Sequence, residues 1–526
     1  MKIFFFSFLL CLSFNCIGQE SPNFLWLICE DQSLFFSVYG DTTAKTPNLD
    51  LLANDGLVYK NCHTPSPVCA PSRSSLITGM YPTTLGTQHM RAYKKSKVND
   101  SINVHNSLPY YNVIPKKPVR FFTEDLRING YYCTNNSKED YNMVTSPLAW
   151  DESSSQAHFR NRPKGQPFFS VFNFNVTHES KVWKNKSQAS EKELNNIQVP
   201  YFFPNDEKIK SDFLTNYMNI EKLDKQIGDI INQLKADGLY ENTVIFFFSD
   251  HGGPFPRYKR SIYETGLRVP FIAKWINDTC RGYNDQLISF VDFAPTILDV
   301  ANIDRDLAFE GVSFFKNDQR NFVYAATDRL DESFDMRRSI RGDKFKLIYN
   351  VDISTPIYKS VKYRKQMKTM QVLDSLKIND NLNSYFFNWY YQPKDSFELY
   401  NISSDFFETK NLIYDSQYNE ISKKLKQKLM IWLEMSDFGN MSELLMLESM
   451  FTSNISTPKL KPPKLKVSGE GYTIESNNLN ASVGWRNKNE SNWKIYNSNE
   501  LILTDNEFEI LIFKPGYEIL VNKYIE

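Results

Sequence analysis

Residues 23–31 have the sequence NFLWLICED, a largely apolar run that ends in two acids. A continuous apolar run of this length is typical of a β-strand that is buried on both faces. Glu30 and Asp31 then follow at the carboxyl end of the strand. Ligands of open α/β sheets bind at that end, so the two acids are candidate site residues.

Two further runs repeat this pattern of an apolar strand followed by polar side chains. VIFFFS at residues 244–249 precedes Asp250 and His251, and FFSVFNF at residues 168–174 is followed closely by His178. The carboxyl ends of parallel strands meet at one edge of a sheet. We therefore expect the polar residues that follow these strands to lie near one another.

The fold class follows from the order of strands and helices. Residues 212–237 place apolar side chains at spacings of three and four, which predicts an amphipathic helix between strands. Alternating strands and helices predict an α/β fold with a large mixed, mainly parallel sheet between helices, and the later sequence predicts a smaller α+β subdomain. The predicted segments are a signal peptide at 1–18, a catalytic domain at 19–335, an α+β subdomain at 336–455 and a β-rich extension at 456–526.

Composition favours a folded protein whose overall charge does not attract polyanions, so that any site for a polyanion would have to be a local patch. Hydrophobic residues make up 41% of the 526 residues, which is enough apolar material for a large core. Lysine plus arginine equals aspartate plus glutamate at 61 each, so no overall field attracts nucleic acid or an anionic membrane. We expect no nucleic-acid partner and no membrane span, since no run after the first residues is long and apolar enough.

The first residues predict export. Residues 1–18, MKIFFFSFLLCLSFNCIG, have the lysine, the apolar run and the small final residue of a secretory signal peptide. The mature protein is then expected in the periplasm or the medium. A lipid anchor at Cys16 is the alternative, although residues 13–15 match the lipoprotein pattern poorly.

One cysteine calls for a chemical explanation. Removal of the leader leaves five cysteines, an odd number, and none is in a close CxxC pair of the zinc-binding kind. Cys69 stands before a proline-broken turn that opens a helix, with Arg73 on the first turn. Helix N–H groups and a guanidinium both stabilise a neighbouring anion, although a lone cysteine in such a place is more often a buried structural residue.

The neighbours of Cys69 favour the chemical interpretation. Residues 69–79, CAPSRSSLITG, resemble the signature of type I sulfatases, C-x-P-S-R-x4-T-G, without a mismatch. The resemblance implies an alkaline phosphatase-like fold and the hydrolysis of sulfate esters. It also implies a maturation enzyme that converts Cys69 to formylglycine (3-oxoalanine), whose hydrated form attacks sulfur, while Arg73 assists.

The resemblance extends from about residue 21 to residue 435. TPNLDLLA at 46–53 and YETGLRVP at 263–270 are similar to family motifs, and Thr265 replaces the first of the family's two adjacent glycines in the latter. VDFAPTIL at 291–298 and ELYN at 398–401 resemble later family segments in the same order. Several motifs in sequence order leave little room for coincidence.

The resemblance also implies a divalent metal ion. Glu30, Asp31, Asp250 and His251 are its expected ligands, together with modified Cys69. An oxygen-rich set suits calcium, with magnesium as the alternative. The family usually has aspartate and asparagine where this chain has Glu30 and His251, and imidazole is a softer donor.

Further catalytic residues are carried over in the same way. Lys259 and Lys138 match two sulfate-binding lysines of the family, and His178 matches a histidine suited to protonate the departing oxygen. Asp140 stands where many members have a histidine that helps eject sulfate, so either Asp140 or another base takes that role. Taken alone, each lysine is more often an exposed charge, and a lone histidine more often a core residue.

The substrate is the least determined feature. His89 and Arg91 follow the signature helix and are expected at the rim of the pocket in contact with sugar, although a surface loop is an equal alternative. Export and the β-rich extension fit an enzyme that acts on sulfated polysaccharides or their oligosaccharides, with ulvan or another algal glycan favoured. The alternatives are a glycosaminoglycan sulfatase, a phosphoesterase of the same superfamily, or an inactive carbohydrate-binding protein.

Overall fold

A computed structural model describes residues 21–93, 107–185, 194–276, 280–315, 320–451, 456–468, 471–497, 500–502 and 507–525. The predicted signal peptide at 1–18, with the alternative anchor Cys16, lies outside these ranges. Within them, no helix combines the length and the apolar character needed to cross a membrane. No two cysteines of the described ranges are joined in a disulfide.

Eight strands form one large sheet with the spatial order β4-β3-β5-β1-β6-β7-β2-β8. These strands are β1 (Asn23–Cys29), β2 (Leu57–His63), β3 (Tyr132–Asn136), β4 (Glu152–Ser153), β5 (Phe168–Phe174), β6 (Thr243–Ser249), β7 (Arg268–Lys274) and β8 (Gly282–Ser289). Only β7 runs against its neighbours, so the sheet is mixed and mainly parallel, as predicted.

Helices cover both faces of this sheet. The α-helices lying wholly within the described residues, some of which pack elsewhere, are α1 (Pro47–Asn54), α2 (Cys69–Thr78), α3 (Pro82–Leu85), α4 (Phe122–Ile128), α5 (Ser180–Lys184), α6 (Glu207–Ala236), α7 (Glu264–Leu267), α8 (Phe293–Val300), α9 (Lys368–Ile378), α10 (Ser384–Tyr391), α11 (Asn419–Met435) and α12 (Glu443–Met450). The predicted helix 212–237 corresponds to α6, which begins five residues earlier because the Asp206 side chain accepts from the backbone N–H groups of Lys208 and Ile209.

Alternate side chains of β1 face the two helical layers. Phe24, Trp26 and Ile28 pack with α2, α4 and α8, whereas Leu25 and Leu27 pack with α1 and α6. All seven residues of β1 are buried, which explains the absence of polar alternation in its sequence. A fully buried core side chain of this size contributes roughly 1.5–3 kcal/mol to folding, so the central strands hold the site edge rigidly.

A second, antiparallel sheet follows the large one. It has the order β12-β11-β10-β9 and consists of β9 (Val323–Leu330), β10 (Ser333–Arg341), β11 (Phe345–Asn350) and β12 (Phe397–Asn401). The amphipathic α11 covers this sheet through Leu425, Leu429 and Trp432. This is the smaller α+β region predicted from the sequence. Its first strand precedes residue 335, and the exact division between domains stays a prediction.

The last strands form the β-rich C-terminal part. They are β13 (Lys464–Ser468), β14 (Gly471–Glu475), β15 (Ser482–Asn487), β16 (Lys494–Ile495), β17 (Glu507–Phe513) and β18 (Leu520–Ile525). β13 and β14 pair as a hairpin, and the other four form an antiparallel sheet in the order β16-β15-β17-β18. This sheet packs on the catalytic part, because Leu511 and Phe513 form a small core with Leu148.

Candidate active site

Cys69 is the first residue of α2, which enters the site edge after β2. All ten residues of α2 are buried, and Cys69 itself is 3% exposed. Gly79 ends the helix with a φ of 69°, and a Cβ there would lie 2.3 Å from the Phe309 ring. The final glycine of the motif thus has a steric reason, and it fixes how α2 presents Cys69.

The carboxyl ends of β1 and β6 bring their polar residues to Cys69, as predicted. The Sγ atom of Cys69 lies 3.3 Å from Nε2 of His251, and that same nitrogen lies 3.1 Å from Oδ1 of Asp31. The backbone N–H of Asp31 donates to Oδ1 of Asp250 at 3.2 Å, which ties the two strand ends together. Asp31 has a φ of 55°, so the chain turns sharply directly after β1.

Three cations surround the acids. Lys259 Nζ lies 2.8 Å from Oδ2 of Asp31 and 3.9 Å from Sγ of Cys69. Lys138 Nζ lies 2.9 Å from Oε2 of Glu30 and 4.0 Å from Oδ2 of Asp250. Arg73 donates from Nε to Oδ2 of Asp250 at 3.1 Å. Positive charge therefore approaches Cys69 from several sides, which suits an anionic substrate.

These pairings shift the titration of the acids and the histidine. Burial alone would raise the pKa of Asp31, but Lys259 and neighbouring histidines hold it well below its usual range. Burial likewise opposes ionisation of Asp250, yet His251, Arg73 and Lys138 lower its pKa to about 2. Burial would lower the pKa of His251, but Asp250, Cys69 and Asp31 raise it to about 10. The centre is thus strongly polarised.

His178 follows β5 and reaches the same edge. A ring nitrogen of His178 and carboxylate oxygens of Glu30 and Asp31 lie within 4.8 Å of one another. The backbone N–H of Ser180 donates to Nδ1 of His178 at 3.3 Å, so the ring proton belongs on Nε2. Burial lowers the pKa of His178, which favours the neutral ring.

The three buried acids and His251 are residue types that suit a divalent ion. Glu30, Asp31 and Asp250 are almost fully buried, and each belongs to a group whose ligand atoms lie within 4.8 Å of one another. Buried carboxylates repel one another unless a cation lies between them. His251 Nδ1 donates to the carbonyl of Gly252 at 2.9 Å, which leaves Nε2 directed at the cluster.

The remaining predicted residues divide between rim and interior. Arg91 is half exposed and donates to Asp331 at 2.9 Å, while Asp140 lies 3.9 Å from the Lys138 ammonium. Both line the same cavity beside the cluster. His89 does not reach it: its side chain is 1% exposed and lies 3.8 Å from the Glu443 carboxylate. We therefore do not propose His89 as a contact to sugar.

Sequence reasoning missed a chain of ion pairs behind Lys259. Lys259 Nζ also lies 3.2 Å from Glu179, whose carboxylate accepts two hydrogen bonds from Arg260, and Arg260 donates to Asp331 at 2.6 Å. Asn173 was missed as well; it accepts from Arg73 at 2.7 Å. Glu179 and Arg260 each directly follow a predicted site residue, a signal that adjacency could have supplied.

Comparisons with known proteins agree with this geometry. The model of the Sulfatase family matches residues 22–303, and that of the N-sulphoglucosamine sulphohydrolase C-terminal region matches residues 255–388. An ulvan-active sulfatase of Formosa agariphila is 37% identical over 95% of this chain and 90% of its own. Human N-sulphoglucosamine sulphohydrolase is 22% identical over 78% of this chain and 89% of its own.

A solved structure gives the same fold. BT4656, in complex with its substrate D-glucosamine-2-N,6-O-disulfate, superposes with a TM-score of 0.55 at 18% identity, over 80% of this chain and 100% of its own. The family match spans more than half of the sequence, in agreement with the motif at Cys69. The chain belongs to the sulfatase family and is a sulfuric ester hydrolase.

Proposed function

We propose that this sulfatase removes sulfate from a sulfated polysaccharide or its oligosaccharides, with ulvan or another algal glycan as the favoured substrate. The convergence of Lys259 and His251 on Cys69, at 3.9 Å and 3.3 Å, carries the catalytic part of the proposal. The 37% identical relative, an ulvan-active sulfatase, supports the choice of glycan. A cavity of about 930 Å³ beside Lys138 offers room for more than one sugar.

Cys69 is proposed as the site of modification to formylglycine by a maturation enzyme. The modified residue supplies, as its hydrated aldehyde, the oxygen that attacks the sulfate ester. The position at the start of α2 supports this role, since unpaired helix N–H groups there stabilise negative charge. Arg73 contributes by holding Asp250 in place from the next turn of the same helix.

Lys138 and Lys259 are proposed to bind the sulfate oxygens from opposite sides. Lys259 is 2% exposed and held by Asp31 and Glu179, so its ammonium is fixed before substrate arrives. Lys138 is 23% exposed and adjoins the cavity, so it can meet the substrate first. Preorganised cations stabilise developing negative charge without reorganisation, which is the main electrostatic contribution to such catalysis.

His178 is proposed to protonate the leaving sugar hydroxyl from Nε2. Only the imidazolium can give up this proton and leave a neutral ring. Oγ of Ser180, 2.9 Å from Nδ1, can accept from that nitrogen in the charged form, and the neighbouring Asp31 and Glu30 carboxylates favour the charge. Asp140 is proposed as the base that helps to release sulfate afterwards. Its carboxylate is 37% exposed and lies 3.9 Å from the ammonium of Lys138, the lysine proposed to bind the sulfate.

One divalent ion is proposed at Glu30, Asp31, Asp250 and His251, with modified Cys69 completing the set. Calcium is favoured over magnesium because the carboxylates supply hard oxygen ligands in number. The ion would polarise a sulfate oxygen and orient the nucleophile when bound. The signal-like residues 1–18 support export to the periplasm or the medium, where polysaccharides are found.

A glycosaminoglycan is the second candidate substrate. The family-model match over residues 255–388 favours it, since that model is named for an N-sulphoglucosamine sulphohydrolase. Binding of phosphate esters at the same cations is the further alternative, because the charge pattern alone does not separate phosphate from sulfate.

A panel of defined sulfated oligosaccharides tests the choice. The protein is produced with a formylglycine-generating enzyme and offered ulvan, other algal, heparan and chondroitin oligosaccharides and a phosphate monoester, with sulfate or phosphate release as the measurement. We expect release of sulfate from the algal oligosaccharides. Preference for heparan or chondroitin would support the second candidate, and hydrolysis of the phosphate ester alone would overturn the proposal.

A further inference from the structure

We infer that the C-terminal β-rich part forms one wall of the substrate cleft and contacts the sugars that flank the sulfated unit. The inference rests on the proposed action on oligosaccharides and adds to it a binding surface outside the catalytic cluster. The two family models together reach no further than residue 388, so the surface belongs to a part of the chain that neither model covers. Ile519 is the residue of the C-terminal part that lines the cleft.

The cleft is continuous with the catalytic cluster through Lys138. Residues 137–147 line most of the cavity of about 930 Å³, Arg91 lines another part, and Ile519 comes from the C-terminal part. The ammonium of Lys138 lies 2.9 Å from Glu30 in the cluster, while the same residue lines the cavity. A sulfated unit held at Lys138 would therefore extend its neighbouring sugars into this cavity.

The C-terminal sheet is fixed firmly enough to act as a wall. Its strand β17 buries Leu511 and Phe513 against Leu148, which directly follows the cavity-lining segment. The next turn contains Gly516 at a φ of 85°, where a Cβ would lie only 2.6 Å from the carbonyl oxygen of Val113. A backbone contact this close allows glycine alone, so the turn that leads to Ile519 is pressed against the catalytic part.

The chemistry of the lining fits a saccharide. Two hydroxyl groups line the cleft, as do two cations and two acids that balance each other: Ser137, Thr145, Arg91, Lys138, Glu139 and Asp140. Such groups exchange hydrogen bonds with sugar hydroxyls. Ile519 is 41% exposed and supplies an apolar patch for the C–H face of a sugar ring. Balanced charge and continuity with Lys138 favour flanking sugars over a protein partner.

Binding measurements in the Cys69→Ala protein test the inference without turnover. The probes are a sulfated tetrasaccharide from ulvan and the matching sulfated monosaccharide, with Kd measured by calorimetry. Ile519→Asp should raise the Kd for the tetrasaccharide at least about fivefold, with no change for the monosaccharide. Gly516→Val, which displaces the turn, should act in the same direction.

Val521→Asp is the matched control. Val521 is 45% exposed, lies two residues from Ile519 and is not among the residues that line the cavity, so this change should leave both Kd values unaltered. Equal Kd values for Ile519→Asp and its parent, an equal effect of Val521→Asp, or no binding of the tetrasaccharide to the parent would overturn the inference. Absence of sulfate release by the wild-type enzyme would instead contradict the proposed function.

Discussion

Lys259 and Asp31 form a two-point ion pair, in which Nζ lies 3.0 Å from one carboxylate oxygen and 2.8 Å from the other. Both side chains are almost fully buried, so water cannot take the place of either partner. Breaking a buried pair from one side leaves an uncompensated charge and costs more than the pair contributes. Lys259 should therefore contribute to the stability of the fold as well as to the proposed catalysis.

Replacement of Lys259 with methionine should therefore reduce both activity and stability. We expect kcat/KM to fall by at least about 100-fold, because a fixed cation beside the reacting group is lost. The free energy of unfolding should fall by about 3 kcal/mol, measured by urea denaturation. Lys274→Met is the control: Lys274 is also buried but donates to the carbonyl of Tyr240, so only stability should change. Near-normal kcat/KM in Lys259→Met would contradict the role.

Glu179 is expected to act as a positioning residue. It accepts from Arg260 and also contacts Lys259, and its backbone N–H donates to Asp31 at 2.6 Å. Glu179→Gln keeps the shape but removes the charge that holds the lysine. We predict a fall in kcat of about tenfold with KM changed less than twofold, since misplacement of a catalytic group affects the reacting state most. An unchanged kcat, or a change confined to KM, would contradict this role.

Removal of divalent ions should lower the melting temperature as well as the activity. Four of the predicted ligands are buried together in the folded protein, so the ion should bind the folded state and not the unfolded chain. At an ion concentration of 100 times its Kd, binding would stabilise the fold by about 2.7 kcal/mol. Thermal unfolding with EDTA, and after addition of calcium or magnesium, measures the effect. Asp250→Asn should abolish the calcium-dependent shift. A wild-type melting temperature that is the same with EDTA and with calcium would count against the metal site.

Asp212, a buried acid outside the active site, should make the stability of the protein depend on pH. Burial raises its pKa to about 6, although its carboxylate accepts from the backbone and hydroxyl of Thr369. The folded protein then holds this proton at a pH where the unfolded chain, near 3.8, has released it. Between these two pKa values the folded protein holds more protons than the unfolded chain. The free energy of unfolding should therefore fall as the pH rises from about 4 to about 6.

Asp212→Asn keeps an oxygen for both hydrogen bonds and removes the charge. This variant should be more stable than wild type at pH 8, by up to about 2 kcal/mol, and the gain in stability should be smaller at pH 5. Unfolding by urea at the two pH values gives the comparison. Asp229→Asn, at an exposed position of the same helix, should show no such difference. A stability difference that is equal at both pH values would refute the assignment.

The strands that carry the site could be predicted from sequence because each is a buried apolar run. β1 and β5 have the predicted bounds, and β6 begins one residue earlier. Their polar ends could be placed together because parallel strands share an edge. The reversed direction of β7 could not be predicted, since β7 is as apolar as its neighbours and pattern carries no direction.

The site beyond the strand ends was predicted less completely. His89 lies near the signature helix in sequence, yet its ring is buried near Glu443, more than 350 residues away along the chain. Asp331 and Arg260 meet only because the second sheet packs against the site edge. Local pattern cannot specify such pairings, since charge alone does not determine which distant partner a side chain meets.

Sulfate release by wild type and by Cys69→Ala, each produced with the formylglycine-generating enzyme, shows whether residue 69 supplies the nucleophile. The substrate is the oligosaccharide that the panel identifies, and thermal unfolding establishes that both proteins are folded. We predict that the alanine variant folds, binds the oligosaccharide and releases no measurable sulfate. Substantial sulfate release by folded Cys69→Ala would show that another group attacks the ester and would contradict the account.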